Sequence, residues 1–375
     1  STSPAPRPAK PLVCVLFGGV STEHLVSCRS AANLLSGLRA AGFPVVPVAI
    51  TRDGRFVRYD GPDDAILSGA WETDPDRWFR AEFPAGGIAG LSPGDFLAAV
   101  CGRMPDVVFP AVHGINCEDG ALQGFLELTG LPYVGSGVLA SAAGMDKLCT
   151  RKLLRTARIP QCRHLAVRRD AVRTDPEGES DRIAARLGFP CFLKPSNGGS
   201  SVGTRKVDDR ASLPDALRDV AEYDREIVAE EYVNGREIEV AVLGNDRPKA
   251  APPGEIVPSA SVAFYDYQAK YFLADGAAVE VPASLPPALA ARVRRMAVRA
   301  YRALGCAGLA RVDFFLERGT DRLLVNEINT LPGFTAISVY PKAFEAAGVP
   351  LPKLAARLVR LACEDKAARQ RRMAP

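Results

Sequence analysis

Ala310-Arg311-Val312-Asp313-Phe314 and Val325-Asn326-Glu327-Ile328-Asn329-Thr330-Leu331-Pro332-Gly333 are short apolar runs that carry acidic and amide side chains at alternate positions. Alternate side chains of a β-strand share a face, so Glu327 and Asn329 point one way while Ile328 packs behind them. Asp313, on the preceding strand, can face them. Three hard oxygens on rigid strands suit Mg²⁺, which takes a few protein oxygens and completes its octahedron with waters and substrate phosphates. Two ordinary strands with a solvated polar face would carry the same pattern.

Four further constellations could do chemistry. Lys194-Pro-Ser-Asn-Gly-Gly-Ser-Ser-Val-Gly203 is a glycine and serine loop leaving a strand. Its N–H groups and hydroxyls can cradle phosphates, with Lys194 as a compact charge. It is no Walker A loop, because the lysine precedes the glycines, and a flexible hairpin is the alternative. His113-Gly-Ile-Asn-Cys-Glu-Asp-Gly120 stands at the carboxyl end of an apolar strand, where open α/β sheets place ligands. A structural histidine and helix capping by Glu118-Asp119 compete with that reading. In Ser21-Thr22-Glu23-His24, Glu23 can hold an ammonium group or belong to a capping pattern. Phe264-Tyr-Asp-Tyr-Gln-Ala-Lys-Tyr271 is an aromatic segment suited to a lid over a small substrate, or to a surface strand.

The elements that position these groups follow from periodicity. Pro11 to Phe17 reads as a buried strand ending in Gly18-Gly19, with helical spacing from Ser27 to Leu38. Strands follow at Phe43 to Thr51 and Asp106 to Val112, separated by a Pro/Gly/Asp-rich stretch from Asp60 to Pro93 that reads as loop with short helices. Helices are expected at Gly120 to Leu128 and Leu148 to Ala157, which makes the first part a parallel sheet with crossover helices. A strand at Pro190 to Lys194, bracketed by hydrophilic helices at Asp181 to Leu187 and Ala211 to Val220, reads as a small separate unit. Glu226 to Glu231 and Glu237 to Leu243 are strands with a hairpin signal at Asn234-Gly235 between them. A long amphipathic helix, Pro286 to Leu304, leads into the acidic strands.

Composition excludes whole classes. The 375 residues are 47% hydrophobic and 24% charged, as in an ordinary soluble protein of two or three domains. A net charge of +4, with both signs interspersed, gives no nucleic-acid footprint. Arg369, Arg371 and Arg372 sit in a polar tail that reads as a solvated helix end. Nine singly scattered cysteines without a CxxC pair argue against a disulfide framework or zinc site. No apolar run reaches the ~20 residues that span a bilayer, and Ser1 to Lys10 has no signal-peptide core, so a cytoplasmic protein without a membrane partner is expected.

Taken in order, these residues resemble the ATP-grasp family of D-alanine–D-alanine ligases, from about Leu12 to Ala362. FGGVSTEH, HGINCEDG, VGSGVLASAAGMDK, KPSNGGSSVG, EEYVNGREIEVAVLG, YDYQAKY, RVDFF and NEINTLPGFT carry the resemblance. It implies an α/β ATP-grasp fold with an α+β lid. Residues 1–10 would be a disordered segment, 11–146 a doubly wound parallel-sheet domain, 147–233 a central lid and 234–375 a mixed-sheet catalytic domain. It also implies ATP and two Mg²⁺ ions, with Mn²⁺ as a substitute, D-alanine as substrate and a homodimer formed through the first domain.

The resemblance also assigns roles. Lys147 and Lys194 match phosphate lysines, with Ser200, Ser201 and Asn326 also at the nucleotide. Glu230, Glu231 and Val233 match the adenine hinge, and Glu237 the acid on the ribose. Asp313, Glu327 and Asn329 match the metal ligands, while Arg311 and the Gly333 N–H match groups that stabilise developing oxyanions. Glu23, in a network with Ser200 and Tyr271, matches the acid on the first ammonium, and His113 the histidine beside that substrate. Lys270 and Ser338 match the pair on the second carboxylate, next to Val339.

Two positions depart from the family. Cys117 replaces a usual glycine, which brings a thiol near His113. Val339 stands where leucine or methionine is usual, which would loosen the second site, because pockets discriminate a methylene by about 1–3 kcal/mol. Retention of Lys270-Tyr271 disfavours a lactate acceptor, and Val339 lacks the arginine of D-serine enzymes. A ligase making another D-amino-acid dipeptide and a silent ATP-binding paralogue are the alternatives. The intact Arg311, Asp313, Glu327 and Asn329 set argues against the second.

Overall fold

The computed structural model describes residues 10–80, 90–258 and 277–369; Ser1–Ala9 and the segment Phe264–Tyr271, with Lys270 and Tyr271, lie outside the described residues. In the first of three sheets, Val13–Gly18 pairs in parallel with Val45–Ile50 on one side and Val107–Pro110 on the other. Val13, Val15 and Phe17 pack toward helices His24–Ala40 and Leu351–Arg369, while Cys14 and Leu16 pack toward helices Pro93–Cys101 and Ala121–Thr129. Burial on both faces is why the run is continuously apolar rather than alternating. Phe56–Tyr59 and Phe79–Arg80 extend one edge antiparallel. Four and two residues leave too little periodicity to be read beforehand.

The second sheet runs in the order His164–Arg168, Glu226–Glu231, Cys191–Pro195, Arg205–Val207, with every ladder antiparallel. Helices Pro176–Leu187 and Leu213–Tyr223 cover one face through Ile183, Leu187, Leu217 and Val220. The hairpin expected at Asn234-Gly235 does not form. Glu226–Glu231 is paired on both sides within this sheet, whereas Gly235–Leu243 pairs with other strands. The Asn-Gly step carries the chain from one sheet to the next. Its local turn propensity is overridden because both edges of the preceding strand are already taken.

The third sheet runs Ala277–Glu280, Gly254–Pro258, Gly235–Leu243, Leu309–Glu317, Leu323–Asn329, with Lys249–Ala250 added to Gly235–Leu243. Its ladders are antiparallel, and an isolated bridge between Gln161 and Val325 adds the parallel member of the expected mixed sheet. Val240, Val312, Phe314 and Ile328 bury one face against Val293, Met296, Ala297 and Ala300 of helix Pro287–Leu304. The other face packs Ala241, Leu243 and Leu309 into the first core and carries polar side chains along the rest of its length. Helices Val339–Ala346 and Leu351–Arg369 return to the first core, where Gly37 leaves room for the Leu351 side chain.

Candidate active site

The polar face of the third sheet is built by register. Asp313 is the direct partner of Glu239 on one side and Glu327 on the other, and Arg311 is the partner of Asn329. Partners in an antiparallel ladder share a face, so these five side chains stand together opposite the Val312–Ile328 core. The register shifts between Asp313 and Phe314, which leaves Asn326 without a partner. That bulge lets Asn326 and Glu327, consecutive residues, both line one cleft; a regular strand would turn one of them away. Asn326 was expected at the nucleotide, but nothing in the sequence marks the bulge that puts it there.

Arg311 is clamped. Its Nε donates to Asp313 Oδ1 at 2.7 Å, its Nη2 donates to Oδ2 at 2.6 Å, and Nε lies 3.1 Å from Glu239 Oε2. Glu239 was not singled out from sequence, although its two-residue spacing from Glu237 is the signal that would have found it. Among the described residues no group of three His, Cys, Asp or Glu is gathered as for a resident metal. Two carboxylates and an amide, Asp313, Glu327 and Asn329, instead fit a hard cation that arrives with nucleotide phosphates.

A cavity of about 260 Å³ lies between the second and third sheets and is lined by Lys147, Lys194, Ser200, Ser201, Glu230, Glu231, Val233, Glu237, Asn326 and Glu327. Every expected nucleotide residue is thus on one wall or another. Lys147 Nζ donates to Gly198 O at 2.6 Å. Burial holds this ammonium below its usual range, with Glu327 opposing the shift. Lys194 Nζ sits 2.9 Å from Glu230, whose other oxygen is bound by Arg151. Burial alone would raise the Glu230 carboxyl, but the two cations bring it down to about 2. Glu231 accepts from Arg163 N at 2.9 Å and Arg163 Nε at 2.6 Å. The two acids expected at the adenine hinge therefore spend their carboxylates on cations. Arg151 was not anticipated; it lies four residues after Lys147 on one helix, a spacing that puts both on the same side.

A second cavity joins the first through Lys147, Gly198, Gly199, Ser200 and Glu327, and adds Glu23, Glu118, Arg311, Asn329 and Thr330. Ser200 Oγ donates to Glu23 Oε1 at 2.5 Å. A Cβ on Gly199 would stand 2.9 Å from that oxygen, so the loop can press on Glu23 only with glycine there. Glu23 stands at the N-cap of helix His24–Ala40 without a side-chain cap bond, which favours the site reading over the capping one. For Asp119 capping wins: it accepts from Asn116 N at 2.7 Å and Ala121 N at 3.1 Å. Glu118 is different. One oxygen accepts from Gly114 N at 3.1 Å and the other is buried without a partner, beside Glu23. Burial, then the Glu23 charge, pushes its carboxyl well up.

His113 lines neither cavity. Its Nδ1 lies 2.9 Å from Leu331 O, which can only accept, so Nδ1 carries the proton and Nε2 accepts from Ser30 Oγ at 3.0 Å. Ser30 Oγ accepts in turn from Phe334 N at 3.1 Å. Burial pushes the imidazole down to about 4, so it is a neutral strut for the Leu331–Phe334 segment that carries Gly333. Burial likewise pushes the Cys117 thiol up to about 12, which removes it as a nucleophile. Ser338 Oγ accepts from Thr335 N at 3.1 Å. Val339, 3% exposed, lines neither cavity and packs in the core against Gly254. Lys270 and Tyr271 lie outside the described residues.

Comparison with known proteins bears on this arrangement. Residues 12–136 match the family model of the D-ala D-ala ligase N-terminus and residues 153–360 that of the D-ala D-ala ligase C-terminus. A D-alanine–D-alanine ligase of Acetivibrio thermocellus is 44% identical over 370 residues, covering 95% of this chain and 96% of the relative. The solved D-alanine-D-alanine ligase of Coxiella burnetii superposes with a TM-score of 0.80 at 35% identity, covering 96% of each chain. VanG D-Ala:D-Ser ligase from Enterococcus faecalis gives 0.79 at 34%, covering 94% of this chain and 99% of that one.

Proposed function

The chain belongs to the D-alanine–D-alanine ligase family, and from that premise we propose how its two joined cavities divide the reaction. It is an ATP-dependent ligase that joins two D-alanines into D-alanyl-D-alanine for peptidoglycan precursors. ATP occupies the cleft between the second and third sheets, with its phosphates toward Lys147, Lys194 and the Ser200-Ser201 loop. The first D-alanine sits in the adjoining cavity, its ammonium against Glu23 and Glu118 and its carboxylate toward Arg311. The γ-phosphoryl group passes to that carboxylate as its bond to the bridging oxygen of ATP breaks and ADP is left, and the amine of the second D-alanine then attacks the acyl carbon. That attack forms the C–N bond and a tetrahedral oxyanion, which collapses as the C–O bond to phosphate breaks, and the proton given up by the amine leaves with the phosphate.

Arg311 is the fixed positive charge at the reacting carboxylate, preorganised by Asp313 and Glu239 rather than recruited during the reaction. Gly333 N–H serves the same oxyanion, held in register by the Leu331–His113 contact. Asp313, Glu327 and Asn329 would hold two Mg²⁺ ions. Bound there, the ions offset the triphosphate charge and draw charge off the transferred group. Ser338, with Lys270, receives the second carboxylate. The consumption of ATP suits a cytoplasmic enzyme, and a homodimer through the first sheet's domain is the assembly expected.

The observation that carries this reading is the common face of Arg311, Asp313, Glu327 and Asn329, from which Glu327 lines both cavities and Arg311 and Asn329 line the second. ADP release against a panel of D-amino acids tests it. D-alanine dependence is expected, and no turnover with any amino acid would leave only a nucleotide-binding protein. A second reading, ligation of D-alanine to another D-amino acid, is favoured by the likeness to VanG D-Ala:D-Ser ligase. Higher turnover with D-serine than with D-alanine as second substrate would establish it.

A further inference from the structure

Glu23 reaches its place through the turn before it, and that turn is tied down by its neighbour. His24 is fully buried; its Nδ1 lies 2.6 Å from Gly19 O, and its Nε2 lies 2.6 Å from Glu72 Oε1 in an ion-pair contact not aligned as a hydrogen bond. Glu72 also accepts from Arg52 Nε at 2.9 Å. The imidazole stacks on Trp71 at 5.7 Å and 11°, and Trp71 is locked edge-on to Phe17 at 5.1 Å and Tyr59 at 6.4 Å. One ring thus joins three parts of the chain: the Gly18-Gly19 turn, the start of helix His24–Ala40, and the short Ala70–Glu72 helix.

The turn has no slack of its own. Gly19 has φ +102°, and a Cβ there would stand 3.0 Å from Cys117 Sγ, so the turn is pressed against the loop that carries Glu118. On its far side Ser21 Oγ donates to His113 O at 2.6 Å. Without the imidazole, Gly19 O would lose its donor, and the turn could relax toward the space the ring vacates. Glu23, adjacent to His24, would move with it. A small shift at a positioning carboxylate is costly to binding and orientation.

We propose that His24, backed by Glu72 and braced on Trp71, is a positioning residue that sets the Glu23 carboxylate for the first ammonium group. The proposal rests on the function argued above and assigns no contact between His24 and substrate. His24→Leu and Glu72→Ala should each raise KM for the first D-alanine, by about tenfold for His24→Leu, the size of one lost hydrogen bond's free energy. KM for ATP and the second-site KM should stay at wild-type values. His24→Asn, which keeps a donor near the Nδ1 position, should recover most of the loss. A merely structural histidine would lower the melting temperature in all variants without separating the three Michaelis constants. That result, or an unchanged first-site KM in folded His24→Leu, overturns the proposal. If His24→Leu does not fold, the partly exposed Glu72→Ala decides by the same constants. Absence of D-alanine-dependent ADP release by the wild-type protein would refute the function itself, a separate outcome.

Discussion

A carboxylate buried as deeply as Glu230 stays charged only while Arg151 and Lys194 are held against it. Its folded pKa of about 2 lies below the ordinary 4.5, so the folded protein binds fewer protons there than the unfolded chain. The stability it contributes is therefore fully present above the unfolded value and is lost as pH falls from about 4.5 toward 2. We expect the difference in unfolding free energy between wild type and Glu230→Gln to shrink across that window by on the order of 2 kcal/mol. Denaturant unfolding at stepped pH measures it, and a constant difference would count against the ion triad. At the chemical face, Glu327→Ala should abolish divalent-metal-dependent ADP release and leave the circular dichroism spectrum and melting temperature near those of wild type. Residue types revealed Asp313, Glu327, Asn329 and Lys194 because their chemistry is local, whereas Lys147 came from the family resemblance. Arg151 and the unpartnered Glu118 oxygen acquire meaning only from groups distant in sequence, whereas Glu239 carries a signal in its spacing from Glu237.

Elements were legible where periodicity is long. The strand at Glu226–Glu231 and the helix at Pro287–Leu304 fall where their apolar spacing puts them, and the alternation that set Glu327 beside Asn329 holds in the sheet. The Asn234-Gly235 hairpin failed because strand pairing is decided by which edges are free, not by the turn between strands. The bulge at Asn326 was invisible for a related reason: it exists only relative to the neighbouring strand. Packing behind helix Val339–Ala346 changes the expectation for Val339. On Gly254 a Cβ would meet Val339 Cγ1 at 2.9 Å, so the side chain is already wedged against a strand. Val339→Leu should therefore cost about 1–3 kcal/mol by overpacking. If Val339 nonetheless sets the second pocket from behind, the same variant should reject D-2-aminobutyrate more strongly than wild type does. Thermal unfolding reads the first effect and ADP release with the two amino acids the second. Discrimination that is equal or weaker in the variant would remove Val339 as a specificity residue.

Across the whole molecule the site exists because three sheets meet. Glu23 comes from the turn after strand Val13–Gly18 of the first sheet, Ser200 from the loop after a strand of the second, and Arg311 from the third. The Ser200 to Glu23 hydrogen bond is where the first two are joined. On the proposed division of the site, nucleotide and amino acid stabilise different junctions: ATP would bridge the second and third sheets, and D-alanine the first and third through Glu23 and Arg311. A ligand present at 100 times its Kd adds about 2.7 kcal/mol to the folded state. A non-hydrolysable ATP analogue with Mg²⁺ should accordingly raise the melting temperature by several degrees, with a further rise on adding D-alanine. Glu23→Gln should keep the nucleotide step, because its carboxylate does not line that cleft, and lose most of the D-alanine step. If instead the substitution abolishes the nucleotide step as well, the two cavities form a single cooperative unit, and the sheets do not divide the labour in this way.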